Sequence, residues 1–230
     1  FVFLWGTLMQ FVYHKEAGKE ELTVDVREYE HIFKVRRTHL DEVLSWRNLE
    51  DSIVYEYKIT AVGKKEATLT LVSQKESRIA PLKELHVGWC VIDPKIIEKT
   101  LPMLNELGVT KISFIYADFS QKNHKLDFER MQRILINSSQ QCGRYSLMKL
   151  ETIASVKAFL TAFPKAHILD FSEEKLTSNI SVESILVGPE GGFSDKERAL
   201  FSKEFVVGLN CPTILRSETA VVAASSKILG

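Results

Sequence analysis

Hydrophobic and polar residues alternate in short segments along the first third of the chain. Clusters of glycine, asparagine, aspartate and lysine bound the segments FVYH, ELTVDV, SIVYEYKITAV and ATLTLVS. A period of two with β-branched and aromatic residues predicts β-strands. One or two helical turns are expected at EYEHIFKVRR, where Ile32 and Val35 share a face. Residues 1–77 are therefore predicted to form a small barrel or sheet.

Near residue 78 the pattern changes to short apolar strands that alternate with longer helical segments. This order predicts a second domain, residues 78–230, built on a parallel sheet. In its first helix, Asp93 is expected to be the N-cap, Pro94 the first helical residue and Gly108 the end. The other predicted strands are LHVGWCVI, KISFIYA, KAHILDF, ESILVG and KEFVVGL. Helices are predicted at LDFERMQRILINSSQQCG and TIASVKAFLTAF, after the loop that follows ESILVG, and from about Glu218 to the end.

The composition is that of an ordinary globular protein, with 45% hydrophobic and 26% charged residues among 230. The formal net charge is zero, so an RNA partner would have to be bound by local basic patches. Cys90, Cys142 and Cys211 are far apart, which suggests neither a disulfide framework nor a metal site and favours a reducing cytoplasm. The apolar opening FVFLWGTLMQFV is too short to span a bilayer, so no membrane association is expected.

One loop, in the stretch SILVGPEGGFSDKERALF, combines features of a ligand-binding turn. Gly191 and Gly192 free the backbone for a tight turn, and Ser194 with Glu197 forms the pattern of a capping box at the start of a helix. The loop follows a predicted strand, at the edge where open α/β sheets bind ligands. A plain connection between strand and helix is the competing interpretation.

The residues of this loop argue against a binding site for nucleotide phosphates. Phe193 follows the glycines where a phosphate-binding loop needs a lysine, and the glycine spacing of a dinucleotide site is absent. Glu190 would also repel a phosphate. A carboxylate beside exposed backbone groups suits a ligand that carries hydroxyls and a positive centre, and S-adenosylmethionine has both.

A second informative stretch, GLNCPTILRSETAVVAASSKILG, places the polar residues Arg216, Ser217 and Glu218 before a helix rich in small residues. Arg216 and Glu218 could form a surface ion pair or take part in a site. The small residues could serve internal packing or a subunit interface, and the sequence leaves both open. They are Ala220, Ala223, Ala224 and Ser225.

Together the two stretches resemble the RsmE-type 16S rRNA uridine N3-methyltransferases of the SPOUT superfamily. The family's G-P-E-G-G-F-S-x-x-E loop is present in full at residues 188–197, and its I-L-R-x-E-T-A loop at residues 214–220. Weaker similarity extends to EHIFKVRR, NELGV and ERMQRILINSSQQCGR. The chain departs from the family pattern at Met103, at Asn210, and at DFSQ, which stands where the family has an Arg-Ser pair.

The resemblance implies an α/β fold with two domains. A small PUA-like β-barrel over residues 1–77 would bind RNA, and a SPOUT-type trefoil-knotted parallel-sheet domain over residues 78–230 would carry out methyl transfer. It further implies an obligate homodimer in the cytoplasm, S-adenosyl-L-methionine as the cofactor and no metal. The substrate would be 16S rRNA or the small ribosomal subunit, methylated at N3 of a uridine.

The same resemblance implies residue roles. Glu218 is a candidate base, and Arg216 a candidate to stabilise the deprotonated uracil or to fix a phosphate. Arg144 is a third candidate for contact with RNA, and the division of these roles stays open. Phosphates would be gripped by Lys34, Arg36 and Arg37. The cofactor would be held by Leu186, Gly188, Pro189, Glu190, Gly191, Leu209, Ile214, Leu215, Thr219 and Ala220.

Two other classes of protein compete with this interpretation. A non-catalytic RNA-binding or ribosome-assembly factor could keep the fold without binding a cofactor, but the two intact loops argue against it. An oxidoreductase would need a dinucleotide-binding loop near residue 90, where VIDPKI supplies no glycine. A cofactor-binding titration distinguishes these two classes from each other and from a methyltransferase.

Overall fold

The computed structural model describes residues 10–25, 29–30, 32, 42–78, 83–121 and 123–230. The chain divides into two compact units, one of Phe1–Ala80 with Ile136–Leu147 and one of Pro81–Leu135 with Met148–Gly230. The first unit thus includes a later segment of chain that the sequence-based division at residue 78 assigns to the second domain. The predicted RNA-binding residues Lys34, Arg36 and Arg37 lie outside the described residues.

The first unit contains a five-stranded sheet in the order β1-β3-β4-β5-β2. Strands β1 and β3 are parallel, and the other neighbours are antiparallel. The period of two in the sequence is visible in β2, where Leu22 and Val24 are buried and the residues between and beside them are exposed. The strands are β1 (Val12–Tyr13), β2 (Glu21–Asp25), β3 (Val43–Arg47), β4 (Ile53–Val62) and β5 (Glu66–Glu76).

The second unit is built on a six-stranded sheet in which every pair of neighbours is parallel. The order is β11-β9-β10-β6-β7-β8, and every residue of β10 is buried, as expected for a parallel strand covered on both faces. The strands are β6 (His86–Cys90), β7 (Lys111–Ile115), β8 (Lys149–Ile153), β9 (His167–Leu169), β10 (Ser184–Val187) and β11 (Val206–Val207). The α/β fold with a parallel sheet that the sequence predicts is therefore confirmed.

The helices that connect these strands begin and end largely where local signals place them. The Asp93 side chain accepts a hydrogen bond from the Lys95 N–H, Pro94 is the first helical residue, and Gly108 ends the helix with φ at 100°, in the left-handed region. The helices are α1 (Pro94–Leu107), α2 (Phe128–Cys142), α3 (Val156–Ala162), α4 (Asp195–Arg198) and α5 (Ser217–Leu229), with a 3₁₀ turn at Lys203–Phe205.

The sequence patterns miss two strands. The predicted helix TIASVKAFLTAF includes Thr152 and Ile153, but these residues belong to the edge strand β8, in which no residue is fully buried and the apolar signal is weak. The short strand β3 was also missed; it ends in Arg47, a charged residue that is nonetheless buried. Within the described part of the chain, no helix has both the length and the apolar character needed to cross a membrane.

Candidate active site

A pocket of about 470 Å³ opens at the edge of the second unit where the parallel strands end. Parallel sheets bind ligands at this edge because the loops that follow the strands diverge there. Three loops form the walls: the loop after β9, the glycine turn after β10 and the loop between β11 and α5. The lining residues are Leu169, Asp170, Phe171, Ser172, Lys175, Val187, Gly188, Pro189, Glu190, Gly191, Gly192, Phe193, Arg198, Gly208, Leu209, Cys211, Thr213, Ile214, Leu215, Ser217 and Ala220.

The glycine turn needs its glycines for two different reasons. Gly192 has φ at 69°, in the left-handed region, and its N–H donates to the Pro189 carbonyl at 2.9 Å. A β-carbon on Gly191 would lie 3.1 Å from the β-carbon of Phe119, so a side chain there would crowd the neighbouring loop. Glu190, at the tip of the turn, is exposed. The turn therefore brings backbone and a carboxylate together at the pocket.

The predicted capping box is confirmed. The Ser194 hydroxyl accepts from the Glu197 N–H at 3.2 Å, and Glu197 Oε2 accepts from the Ser194 N–H at 3.0 Å. The same two side chains also hold the loop after β7. Glu197 Oε1 accepts from the Asp118 N–H at 3.0 Å, and the Ser194 hydroxyl donates to Asp118 Oδ2 at 2.6 Å.

An ion pair holds the loop after β9 to the same short helix. Arg198 Nε donates to Asp170 Oδ2 at 2.8 Å and Arg198 Nη2 donates to Asp170 Oδ1 at 3.2 Å, a two-pronged contact of the kind that fixes geometry. The bond to Asp170 raises the pKa of the Arg198 guanidinium. Asp170 Oδ1 also accepts from the Phe171 N–H at 2.9 Å. Helix α4 thereby connects the glycine turn to both neighbouring loops.

The start of α5 is attached to the glycine turn by Ser217. Its hydroxyl donates to the Gly188 carbonyl at 2.6 Å and accepts from the indole N–H of Trp89 at 3.0 Å. Arg216 is the N-cap residue and is exposed, whereas Glu218 is half-buried. Glu218 Oε2 is buried and has no hydrogen-bond partner among the described residues. Neither Arg216 nor Glu218 lines the pocket, but each is next in sequence to a residue that does.

The structure brings most of the predicted cofactor residues together. All of them line the pocket except Leu186, which is fully buried in β10, and Thr219, which is exposed on α5. Arg144 belongs to the first unit and is 4% exposed, and burial lowers the pKa of its guanidinium. The family resemblance places the loop after HILD beside the cofactor, but the sequence does not single out Asp170, Phe171 or Arg198 among the lining residues.

Cys211 is another lining residue that the sequence did not assign to the site. It is exposed in the loop before α5, and its thiol contacts the Thr213 hydroxyl at 3.4 Å. Hydrogen bonds from the Thr213 side chain and backbone lower the pKa of this thiol. The pocket wall therefore includes a sulfur atom beside its backbone and apolar groups.

Comparison with known proteins places the chain in a class. Residues 78–229, which include all the residues that line the pocket, match the model of the RNA methyltransferase domain family. The six-stranded parallel sheet and its pocket are thus those of an RNA methyltransferase domain.

Full-length relatives narrow this class. A ribosomal RNA small subunit methyltransferase E of Helicobacter pylori is 42% identical over 222 residues, which cover 95% of this chain and 98% of that protein. The protein of the same name from Aquifex aeolicus is 28% identical over 230 residues, covering 96% of this chain and 99% of that protein. The chain belongs to the ribosomal RNA small subunit methyltransferase E family.

Solved structures share the fold along almost the whole chain. A Neisseria gonorrhoeae ribosomal RNA small subunit methyltransferase E bound to S-adenosyl methionine superposes with a TM-score of 0.77 at 20% identity, covering 95% of each chain. A Legionella pneumophila protein in complex with the cofactor SAM gives a TM-score of 0.79 at 24% identity, covering 96% of each chain. At these identities the comparison shows the fold alone.

Proposed function

We propose that this protein is an S-adenosylmethionine-dependent methyltransferase that methylates N3 of a uridine in 16S ribosomal RNA. The observation that carries the proposal is the pocket at the strand ends, lined by Gly188, Glu190, Leu209 and Leu215 among others. Its volume of about 470 Å³ is in the range of small-ligand sites. The related protein from Neisseria gonorrhoeae, with the same fold, was solved with S-adenosyl methionine.

The residues of the pocket fit this cofactor. The apolar side chains of Leu209, Ile214 and Leu215 suit a purine ring, and the carboxylate of Glu190 suits a positive centre and hydroxyls. Close approach of a ligand to the backbone is possible at Gly188 and Gly191 because neither carries a side chain. Sites that orient a small molecule typically combine apolar walls with placed polar groups, and here charged side chains, among them Glu190 and Lys175, also line the pocket.

The chemistry joins a methyl group to a weakly acidic ring nitrogen. When bound, S-adenosylmethionine would supply the methyl group: its sulfur–carbon bond would break as the carbon bonds to uracil N3, and the N3 proton would leave. Glu218, half-buried beside the pocket, is the candidate acceptor for this proton. Arg216 is the candidate to stabilise the negative charge that develops on the uracil, since a guanidinium stays charged and offers several donors.

The architecture of the family completes the proposal. The sheet of the first unit would belong to a PUA-like barrel that grips RNA phosphates through Lys34, Arg36 and Arg37, with Arg144 as a further RNA contact. The parallel sheet would belong to a trefoil-knotted domain. The protein would act in the cytoplasm, as a homodimer. Ala224 is fully buried within the chain, so the partner would contact the partly exposed Ala223.

The proposed function is tested with purified protein, labelled S-adenosylmethionine and 16S rRNA from cells that lack the gene, both free and in small subunits. Mass spectrometry of the nucleosides is expected to detect N3-methyluridine. Gly191→Val serves as the matched control, since its side chain would crowd Phe119. Methylation at another atom, or calorimetry that detects NAD or ATP but no S-adenosylmethionine, would contradict the proposal.

A separate experiment tests the roles proposed for the two units, RNA binding by the first and methyl transfer by the second. Replacement of Lys34, Arg36 and Arg37 by alanine is expected to weaken RNA binding and to flatten its salt dependence, because each lost phosphate contact removes a share of counterion release. Cofactor affinity should not change. Loss of cofactor binding in this variant would show that the assignment of roles is wrong.

Dimerisation is tested with Ala223→Glu. An unpaired carboxylate in an apolar interface is strongly disfavoured, so light scattering should detect monomers or unfolded protein. A wild-type protein that is monomeric at micromolar concentration would overturn the dimer.

A further inference from the structure

Two Asp-Phe dipeptides lie at the edge of the parallel sheet that carries the pocket. Asp118 and Phe119 follow β7, and Asp170 and Phe171 follow β9. Both rings are largely uncovered: Phe119 is 55% exposed and Phe171 is 78% exposed. A large apolar ring in water loses the favourable free energy of burial, so two of them at one edge of a sheet require an explanation.

Both rings are exposed although their loops are firmly attached to the rest of the unit. Asp170 is bound by both prongs of Arg198, and its own carboxylate accepts from the Phe171 N–H. Asp118 accepts from the Ser194 hydroxyl, and its N–H donates to Glu197. In each dipeptide the aspartate is therefore bonded to α4 or to its N-cap residue Ser194, and the phenylalanine that follows is presented to solvent from an anchored backbone.

The two rings flank the glycine turn. The turn follows β10, and the strand order places β9 on one side of β10 and β6, then β7, on the other. Phe171 lines the pocket together with Gly191, from the β9 side. Phe119 approaches Gly191 from the β7 side, where a β-carbon on that glycine would meet the β-carbon of Phe119 at 3.1 Å.

The proposed reaction creates a need for such rings. Uracil N3 lies on the Watson–Crick edge, so it can accept a methyl group only when the uridine is unpaired. A base taken out of its stack loses stacking free energy, and an aromatic side chain can restore it. Stacking on an aromatic face also leaves the edge of the base, and hence N3, open to the pocket.

We infer that Phe119 and Phe171 are stacking platforms for unpaired RNA bases on the two sides of the cofactor turn. Phe171 stacks the target uracil, because it lines the pocket in which the methyl donor is proposed to lie. Phe119 stacks a neighbouring base. This inference rests on the proposed function, and it adds two positions that the family motifs Gly188–Glu197 and Ile214–Ala220 do not contain.

Photochemical cross-linking tests the contact without reference to activity. The probe is a single-stranded oligoribonucleotide of 16S sequence that contains 5-iodouridine, irradiated with the full-length protein in the presence of S-adenosylmethionine. Peptide mass spectrometry is expected to find adducts on Phe171 and Phe119. Adducts that map to the first unit alone would overturn the inference.

Kinetics test the role of each ring. Phe171→Ala is expected to lower kcat/KM for RNA by about 10-fold, the effect of losing one stacked base, while the affinity for S-adenosylmethionine is unchanged. Phe171→Trp keeps an aromatic face and should retain the wild-type value. Leu200→Ala is the matched control, because Leu200 is an apolar side chain of the same unit that is 45% exposed and does not line the pocket.

Each other outcome overturns the inference in a recognisable way. If Phe171→Ala weakens binding of S-adenosylmethionine, the ring contacts the cofactor. If Phe171→Ala converts a dimer to a monomer, the ring belongs to a subunit interface. If the wild-type protein methylates 16S rRNA and the variants Phe171→Ala and Phe119→Ala both match its kcat/KM for RNA, the stacking inference is wrong while the proposed function stands. If the wild-type protein methylates no RNA, the proposed function fails and the inference with it.

Discussion

The parallel sheet carries two polar clusters that differ in a way the sequence does not reveal. One is the pocket edge, where the glycine turn, Ser194 and Asp170 meet. The other lies toward the amino-terminal ends of the strands, where His86 Nε2 contacts the Ser113 hydroxyl at 2.7 Å and that hydroxyl donates to Glu151 Oε1 at 2.6 Å. By residue type alone, the second cluster has the composition of a Ser-His-Glu triad.

The second cluster is nonetheless closed. The Ser113 hydroxyl donates its hydrogen bond to Glu151 and therefore cannot donate one to the imidazole of His86, as a serine nucleophile must donate to its base. Ser113 is fully buried, and the ring of Phe163 lies 4.4 Å from that of His86 between centroids. Lys111 pairs with Glu151 at 2.8 Å.

The contrast shows which feature identifies a site. At the closed cluster the polar groups satisfy one another and hold β6, β7 and β8 together. At the pocket edge, bonds of similar length hold the loops, but they leave the glycine backbone, the Glu190 carboxylate and the exposed ring of Phe171 facing the cavity. Residue types are similar in the two places, and the difference lies in what remains available to a ligand.

Among substitutions that test the difference between the two clusters, Arg216→Ala is expected to have the largest effect on the methylation rate. If the guanidinium stabilises charge that develops only in the transition state, the methylation rate at saturating RNA and cofactor should fall by about 100-fold or more. Ser113→Ala, at the closed cluster, should leave the rate per folded molecule unchanged. A rise in the RNA concentration for half-maximal rate, with the same maximal rate, would instead make Arg216 a binding residue.

A second prediction compares two ion pairs of equal length. Arg198 and Asp170 are 2.8 Å apart at the pocket edge, and Lys111 and Glu151 are 2.8 Å apart at the closed cluster. Arg198→Ala leaves Asp170 unpaired and loosens a pocket wall, so calorimetry should show cofactor affinity reduced by about 10-fold. Lys111→Ala should change that affinity by less than about twofold. Equal effects on affinity would remove the distinction between the clusters.

The smallest effect concerns pH and the closed cluster. Burial, assisted by the Lys111 charge, lowers the pKa of His86 from 6.5 to about 4, and Glu151 acts in the opposite direction. Because the unfolded chain binds a proton at His86 more readily than the folded chain does, protonation at low pH favours unfolding. The contribution of His86 to the free energy of unfolding is therefore complete above pH 6.5 and is lost as the pH falls toward 4. Allowing for solvent screening, the loss between pH 7 and pH 5 is about 1 kcal/mol.

Denaturant unfolding at both pH values measures this loss. His86→Gln should show a smaller decrease in the free energy of unfolding than the wild-type protein. A decrease of the same size in the variant would place the titration elsewhere, for example at His167, whose pKa is also lowered by burial.

Local signals in the sequence account for much of what was predicted correctly. Asp93 and Gly108 fix the ends of α1 through bonds to residues close by, and the capping box of Ser194 and Glu197 spans a single helical turn. The glycine turn could be recognised for the same reason. Such features depend on a few adjacent residues and are visible before the chain folds.

The parts that the sequence did not predict depend on distant partners. The bond between Asp170 and Arg198 spans 28 residues and the bond between Asp118 and Ser194 spans 76. No periodicity connects such pairs, because the strand order of the sheet alone makes them neighbours. The edge strand β8 was missed for a related reason, since its pairing with β7 compensates for a weak apolar pattern.

The attachment of Ser217 to Trp89 has an optical consequence. Trp89 is fully buried, and its indole nitrogen is bonded to the hydroxyl that also holds the Gly188 carbonyl. Indole fluorescence responds to the hydrogen bond at the ring nitrogen, so a ligand that shifts the glycine turn would change the emission of Trp89. The other two tryptophans of the sequence, Trp5 and Trp46, can be replaced by phenylalanine to lower the background. Trp89 is thus positioned to report occupancy of the pocket through its own fluorescence, with no added dye.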